Sequence, residues 1–183
     1  MTRKVLLLTI FAAAALFVSC SGEEKGQVIL TVASINPASE PFGDTMSSNG
    51  TIPGDAIDIE LNSDLKNPGG LSSLTWADVI IESITVSFNR IDGGSDKPQT
   101  FRSAVSYKVP AQGVLTIEGF AIVPATMKGQ FPISDLIFYG YERSTNYISI
   151  KCDVIVEFDG KTIEGDRVYA KGQISIEFTN WAD

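Results

Sequence analysis

Tyr147-Ile148-Ser149-Ile150-Lys151-Cys152-Asp153-Val154-Ile155-Val156-Glu157-Phe158 is the stretch that decides the fold. Ile148, Ile150, Cys152, Val154, Val156 and Phe158 fall at every second place, with Ser149, Lys151, Asp153 and Glu157 between them. A period of two sends one set of side chains into a core and the other into water, which is a half-buried strand. Asp159-Gly160 follows and reads as a two-residue hairpin of the type I′ kind, because both places tolerate positive φ. Lys161 to Phe178 is then the returning strand, interrupted near Gly165 or Gly172.

Working outward, the same pattern recurs. Val28 to Ile35 is rich in β-branched residues. Ala56 to Leu61 alternates, with Ile57, Ile59 and Leu61 on one face and Asp58 and Glu60 on the other. Asp78 to Arg90 is a long strand with Ile80, Ile84, Val86 and Phe88 in phase; the adjacent Val79-Ile80-Ile81 breaks the alternation and predicts a bulge or burial on both faces. Phe101 to Val109 and Val114 to Val123 are two more strands, joined through Pro110-Ala111-Gln112-Gly113. Ile133 to Tyr139 reads as a shorter strand, and Ala125 to Lys128 as a local helical turn. Alternating strands separated by turn residues predict an all-β protein, an antiparallel β-sandwich of about seven to nine strands. The architecture resembles an immunoglobulin-like or fibronectin-III-like sandwich, with Trp76 in place of the tryptophan of antibody domains and without their cysteine pair.

Composition narrows the function. The chain has 14 basic and 22 acidic residues and no histidine. An acidic chain lacks the basic footprint that nucleic acid needs. Without histidine there are no histidine-based triads, no histidine-ligated zinc and no general base of the usual kind near neutral pH.

The N-terminus carries an address. Arg3 and Lys4 precede an apolar run, Val5 to Val18, which is too short to span a bilayer and has the length of a secretory signal core. Leu16-Phe17-Val18-Ser19-Cys20 resembles the lipobox of bacterial lipoproteins, with a small residue directly before the cysteine. Phe17 departs from the aliphatic residue usual at its place. The resemblance implies that residues 1–19 are removed, that Cys20 receives the lipid, and that residues 20–27 form a tether to one domain over residues 28–183. It implies attachment to the bacterial cell envelope, with Ser21 in place of the aspartate of inner-membrane retention pointing to the outer membrane. Periplasmic and surface faces both stay open. Loss of Arg3 and Lys4 leaves a mature net charge of about −10, so the membrane contact is the lipid and not a basic face. Cys152 then has no partner for an intramolecular disulfide and reads as a small core residue.

Several short patterns are weighed against their context. Ser63-Asp64-Leu65-Lys66 fits S-x-x-K but sits in a Gly/Pro-rich loop without the partner motifs of serine acyl-enzymes. Asp92-Gly93-Gly94-Ser95-Asp96 offers two carboxylates on a glycine turn, a fragment of a Ca²⁺ site that lacks EF-hand spacing. Asn49-Gly50-Thr51 is a glycosylation sequon, and Asp44-Thr45-Met46 resembles a short bacterial O-glycosylation pattern. Tyr139, Tyr141 and Tyr147 gather around a glycine turn as a candidate aromatic platform. No residue reads as catalytic, metal-ligating or cofactor-binding.

Alternating strand directions predict a working end. The first strand runs away from the tether, so the loops 36–55, 92–98 and 124–132 and the turn at Asp159-Gly160 should collect at the distal tip. Loop 62–75 and Trp181 should lie near the membrane. Asp44, Asp92, Asp96 and Asp159 are the candidate ligand contacts there. The expected function is a lipid-anchored, non-enzymatic binding, adhesion or envelope-assembly module with a protein or glycan partner at those loops. A carbohydrate-binding accessory lipoprotein is the alternative, and a carboxylate-based glycan hydrolase the third reading.

Overall fold

A computed structural model of the chain describes residues 27–38, 42–66 and 75–180. Seven antiparallel strands form two sheets: β1 (Val28–Pro37), β2 (Asp55–Leu65), β3 (Val79–Arg90), β4 (Phe101–Val109), β5 (Val114–Val123), β6 (Ser149–Thr162) and β7 (Arg167–Thr179). One sheet has the order β1-β2-β5 and the other β4-β3-β6-β7. The immunoglobulin constant arrangement places its fourth strand beside the first sheet. Here β4 is instead the edge neighbour of β3 in the four-stranded sheet. Two short helices, α1 (Ala125–Lys128) and α2 (Ile133–Tyr139), lie between β5 and β6.

The core lies between the sheets. Ile57, Ile59 and Leu61 from β2 face Ile84, Val86 and Phe88 from β3 and the alternate residues of β6, Ile150 through Phe158, all fully or almost fully buried. Cys152 is buried among them, and burial pushes its thiol up to about 12. It therefore packs as a small apolar residue and stays protonated. Trp76 is half-buried in a 3-10 turn against the edge of this core.

The irregularity at Val79-Ile80-Ile81 is a bulge. The register of β3 slips between Ile81 and Ser83 against both β4 and β6. Against β6 Glu82 is the extra residue, so Val79 and Ile81 point inward below it and Ile84, Val86 and Phe88 above it. Ile80, expected inward by simple counting, therefore faces out.

Several sequence expectations are corrected here. Asp159-Gly160 is not a hairpin: β6 continues to Thr162, and the turn is Ile163-Glu164-Gly165-Asp166, closed by Gly165 N–H to Thr162 O at 2.9 Å and Thr162 N–H to Asp166 O at 2.8 Å. Gly165 has the positive φ, 97°. Gly160 serves a different need, since it opposes the bulge: a Cβ there would lie 2.5 Å from the backbone oxygen of Ile80. Of the two places expected to interrupt the returning stretch, Gly165 does so, and Gly172 lies inside β7, where Val32 and Ile35 of β1 pack over it.

Ile133 to Tyr139 is the helix α2 and not a strand. Ile133 and Leu136 are buried one turn apart, Asp135 stands in the first turn, and Gly140 closes the C-terminus in the left-handed region at φ 75°. These are helix signals; the continuous β-prone apolar run Leu136-Ile137-Phe138-Tyr139 masked them. Removing one strand reverses the parity of everything after it. Asp159 pairs beside Ser83 at the beginning of β3, whereas Asp92 follows its end, so the two lie toward opposite ends of the sandwich. Likewise β7 finishes at the end where Asp44 bridges Thr179; Trp181 itself lies outside the described residues. The other three loops do meet at one end, opposite Val28. Within loop 62–75, β2 extends to Leu65 and residues 67–74 are outside the described residues.

The Gly160 contact gives a direct check. Gly160→Ala forces backbone apart at the bulge and is expected to lower stability by about 1–3 kcal/mol in urea denaturation, while Gly129→Ala, whose nearest contact is 3.5 Å, stays close to wild type.

Candidate functional site: the loop tip

Two buried charges organise the end of the sandwich that carries Pro37, Asp55, Arg90, Val123 and Thr179. The first is Arg90, in phase with Ile84, Val86 and Phe88 and so directed inward at the last step of β3. Its side chain is 3% exposed. Nε donates to Asp92 Oδ1 at 2.7 Å and Nη2 to Asp92 Oδ2 at 2.8 Å. Nη1 and Nη2 donate to the two oxygens of Glu142, both at 2.9 Å, and Nη1 also donates to the carbonyl of Asp96 at 2.7 Å. All five guanidinium protons thus have acceptors. Glu142, fully buried, accepts further bonds from Ser144 Oγ and Thr145 Oγ1, and Asp92 from the backbone N–H groups of Gly94 and Lys151.

The electrostatics follow from this geometry. The Arg90 guanidinium holds the Glu142 carboxyl below the ordinary carboxylate range, with the hydroxyls of Thr145 and Ser144 assisting. Burial pushes Asp92 up, but Arg90 and two backbone N–H groups outweigh it and leave the carboxyl lowered. Burial alone would depress Arg90, yet the two carboxylates raise its pKa.

The second charge is Lys128, fully buried at the end of α1. Its ammonium lies 2.8 Å from Asp55 Oδ2 and donates to the carbonyl of Asp44. Asp55 also accepts from Gly43 N–H at 2.9 Å; burial still raises its carboxyl above the usual value. Thr45 then bonds Thr179 O through its N–H at 2.9 Å and its Oγ1 at 3.1 Å. Lys128 thus ties α1 to loop 42–55, and Thr45 ties that loop to the end of β7.

Between these two staples the segment 131–148 presents apolar side chains to solvent. Phe138 is 72% and Ile148 75% exposed, and Phe131, Tyr139, Tyr141 and Tyr147 are each exposed as well. Tyr139 and Tyr141 are in contact, with centroids 6.5 Å apart and planes tilted by 53°. Arg143 stacks over Tyr139 at 4.5 Å and pairs bidentately with the buried Asp135. The acidic side chains of this segment, Asp135 and Glu142, each face an arginine.

The expected site residues distribute unevenly over this surface. Asp92 is at the tip, but both its oxygens serve Arg90, and Asp96 contributes its carbonyl to the same guanidinium. The guanidinium is thus the cation at the turn that resembled a Ca²⁺ fragment. Among the described residues no group of three or more His, Cys, Asp or Glu is placed to hold a metal ion. Asp44 is buried, and Thr45 of the O-glycosylation resemblance is fully buried. Asp159 lies within β6 and faces Arg102 at 3.8 Å, away from the tip. Ser63 of the S-x-x-K match points inward from β2, not from a helix start. Tyr139, Tyr141 and Tyr147 are each exposed, and the first two are in ring contact. Cys20 lies outside the described residues. Arg90, Lys128 and Glu142 are not among the residues expected at the site. For Arg90 a signal exists: it occupies an inward place of an apolar strand, as Asp55 does before Ile57, Ile59 and Leu61.

No protein-family profile matches the chain, and no curated protein does. Among solved structures the chain resembles the solution structure of a protein assigned to the late embryogenesis abundant (LEA) class, at 11% identity and a TM-score of 0.36, covering 99% of this chain and 88% of that one. A likeness this slight carries no functional argument.

Arg90→Met removes the partner of a buried carboxylate and should cost about 3 kcal/mol at pH 7 in urea denaturation. The pH dependence has a definite sign. The depressed carboxyls of Glu142 and Asp92 bind fewer protons folded than unfolded. Their stabilisation is complete above the ordinary carboxylate value of 4.5 or 3.8 and disappears as pH falls through the lowered one. Between pH 7 and 3 the Arg90→Met protein should therefore lose less stability than wild type.

Proposed function

We propose that this chain is a lipid-anchored lipoprotein of the bacterial envelope, outer membrane by its Ser21, that works without catalysis by presenting its loop tip to a binding partner. The observation that carries the reading is the position of the tip. The exposed aromatic surface of segment 131–148 lies at the end of the sandwich opposite Val28, and the lipobox-like Ser19-Cys20 precedes Val28. An anchor at Cys20 would hold one end at the bilayer and leave the other free. Several exposed apolar and aromatic side chains gathered on one pinned segment suit an interaction site.

The other two readings find less support. A flat sugar platform needs coplanar rings, and Tyr139 and Tyr141 are tilted by 53°. A carboxylate-pair hydrolase needs one carboxyl free to donate a proton and one free to attack or activate water. Glu142 and Asp92 are instead both bound to Arg90 and both shifted toward the ionised form.

Cys20→Ala tests the anchor. The variant should lose incorporation of labelled fatty acid and leave the membrane fraction. Correct processing with full membrane retention would refute the reading.

A further inference from the structure

We infer that the tip docks into an apolar pocket on another protein, and not onto a lipid surface, with Phe138 and Ile148 as the anchoring side chains. The inference rests on the anchored reading above and deepens it by naming the class of partner.

Reach argues first. The seven residues Ser21 to Gln27 span at most about 24 Å. β6 alone has 14 residues and is about 46 Å long. For the upright domain to turn its tip to the bilayer holding Cys20, its Val28 end would stand farther off than the tether extends. Two copies in one membrane likewise point their tips the same way and do not meet tip to tip.

Rigidity argues second. A fluid bilayer accepts apolar side chains without demanding a fixed arrangement, whereas a protein pocket rewards one fixed in advance. Here the backbone under the patch is pinned at several places. α2 ends on Gly140; Glu142 N–H bonds Tyr147 O at 2.8 Å; Asn146 N–H bonds Glu142 O at 2.7 Å; and the Glu142 carboxylate is locked on Arg90. This places Tyr141 and Tyr147 on facing arms of one turn, with Ile148 beyond the second arm and Phe138 at the foot of the first.

Chemistry argues third. The patch combines tyrosine, phenylalanine and an arginine stacked on a ring, the residue types enriched where proteins bind proteins. Its acidic side chains are neutralised internally, although the chain as a whole is acidic. A matching surface is therefore uncharged and concave, with hydrogen-bonding groups at its rim for the tyrosine hydroxyls. Both anchors are largely exposed, so changing them leaves the core intact.

The test is site-specific photo-cross-linking of the full chain in cells that make it. A photoreactive phenylalanine replaces Phe138 or Ile148 in turn, and Ile163 or Tyr169 as exposed apolar controls away from the tip. The expected result is a protein adduct of the same mass from positions 138 and 148, at least tenfold stronger than from 163 and 169. Ile148→Asp in the Phe138-probe chain should reduce that adduct at least tenfold. Adducts of lipid mass only, equal yields at the controls, an adduct indifferent to Ile148→Asp, or no adduct at all would each overturn the inference. Repeating the experiment in Cys20→Ala separates the two readings. An adduct that persists while the variant stays membrane-bound refutes the anchor and keeps the partner. A variant that leaves the membrane, together with a probe chain retaining Cys20 that gives no adduct, keeps the anchor and refutes the partner.

Discussion

The Arg90 guanidinium brings a positive charge to the inward side of β3 at the point where the sheet stops, and the loops beyond are arranged around its neutralisation. A charge removed from water this far must find compensating groups or unfold its surroundings. It finds Asp92 two residues on, the Asp96 carbonyl six residues on, and Glu142 from a different part of the chain. Asp92 shapes the turn after β3 and reaches the backbone of β6 through Lys151 N–H; Glu142 fixes the segment between α2 and β6. Lys128 does the equivalent on the other sheet, joining Asp55 at the start of β2 to the Asp44 carbonyl beside the end of β7. Cys152, buried and without a disulfide among the described residues, contributes only packing.

Buried ion pairs of this kind add little net stability compared with an apolar core, but each is expensive to break, so they select one arrangement of the loops over others. That property is what an interaction tip requires. Ile133 and Leu136 of segment 131–148 join the core, while Phe138, Tyr141, Tyr147 and Ile148 stay exposed on a backbone held by charged bonds. The fold thus separates its tasks. Two sheets supply a self-sufficient core, paired surface charges such as Lys151–Glu177 and Lys161–Glu82 cover the outer face of the four-stranded sheet, and the tip keeps its apolar groups outside.

The sandwich was largely legible because period-two burial is a local property, written out most clearly in residues 149–158. What misled was also local. Leu136-Ile137-Phe138-Tyr139 is a short β-prone apolar run, while the capping by Gly140 and the one-turn spacing of Ile133 and Leu136 belong to a helix. Asp159-Gly160 has turn chemistry, yet its glycine answers a bulge on the neighbouring strand, a constraint invisible without the register. The tip was only partly legible. Its tyrosines stand out, and inward-phase Arg90 and Asp55 break their strand patterns in a way that marks buried pairing. The bond from Arg90 to Glu142 spans 52 residues, and only the folded topology brings the two together.

Amide hydrogen exchange on Glu142→Gln compared with wild type tests this account most directly, because the substitution removes the charge and preserves the shape. If Arg90 and Glu142 hold the tip in place, the amides of Glu142, Asn146 and their neighbours in 140–148 should exchange at least tenfold faster, while those in the centres of β3 and β6 stay as protected as before. Unchanged exchange across 140–148, or an equal acceleration throughout both sheets, would contradict the claim that a buried ion pair pre-organises this end of the sandwich.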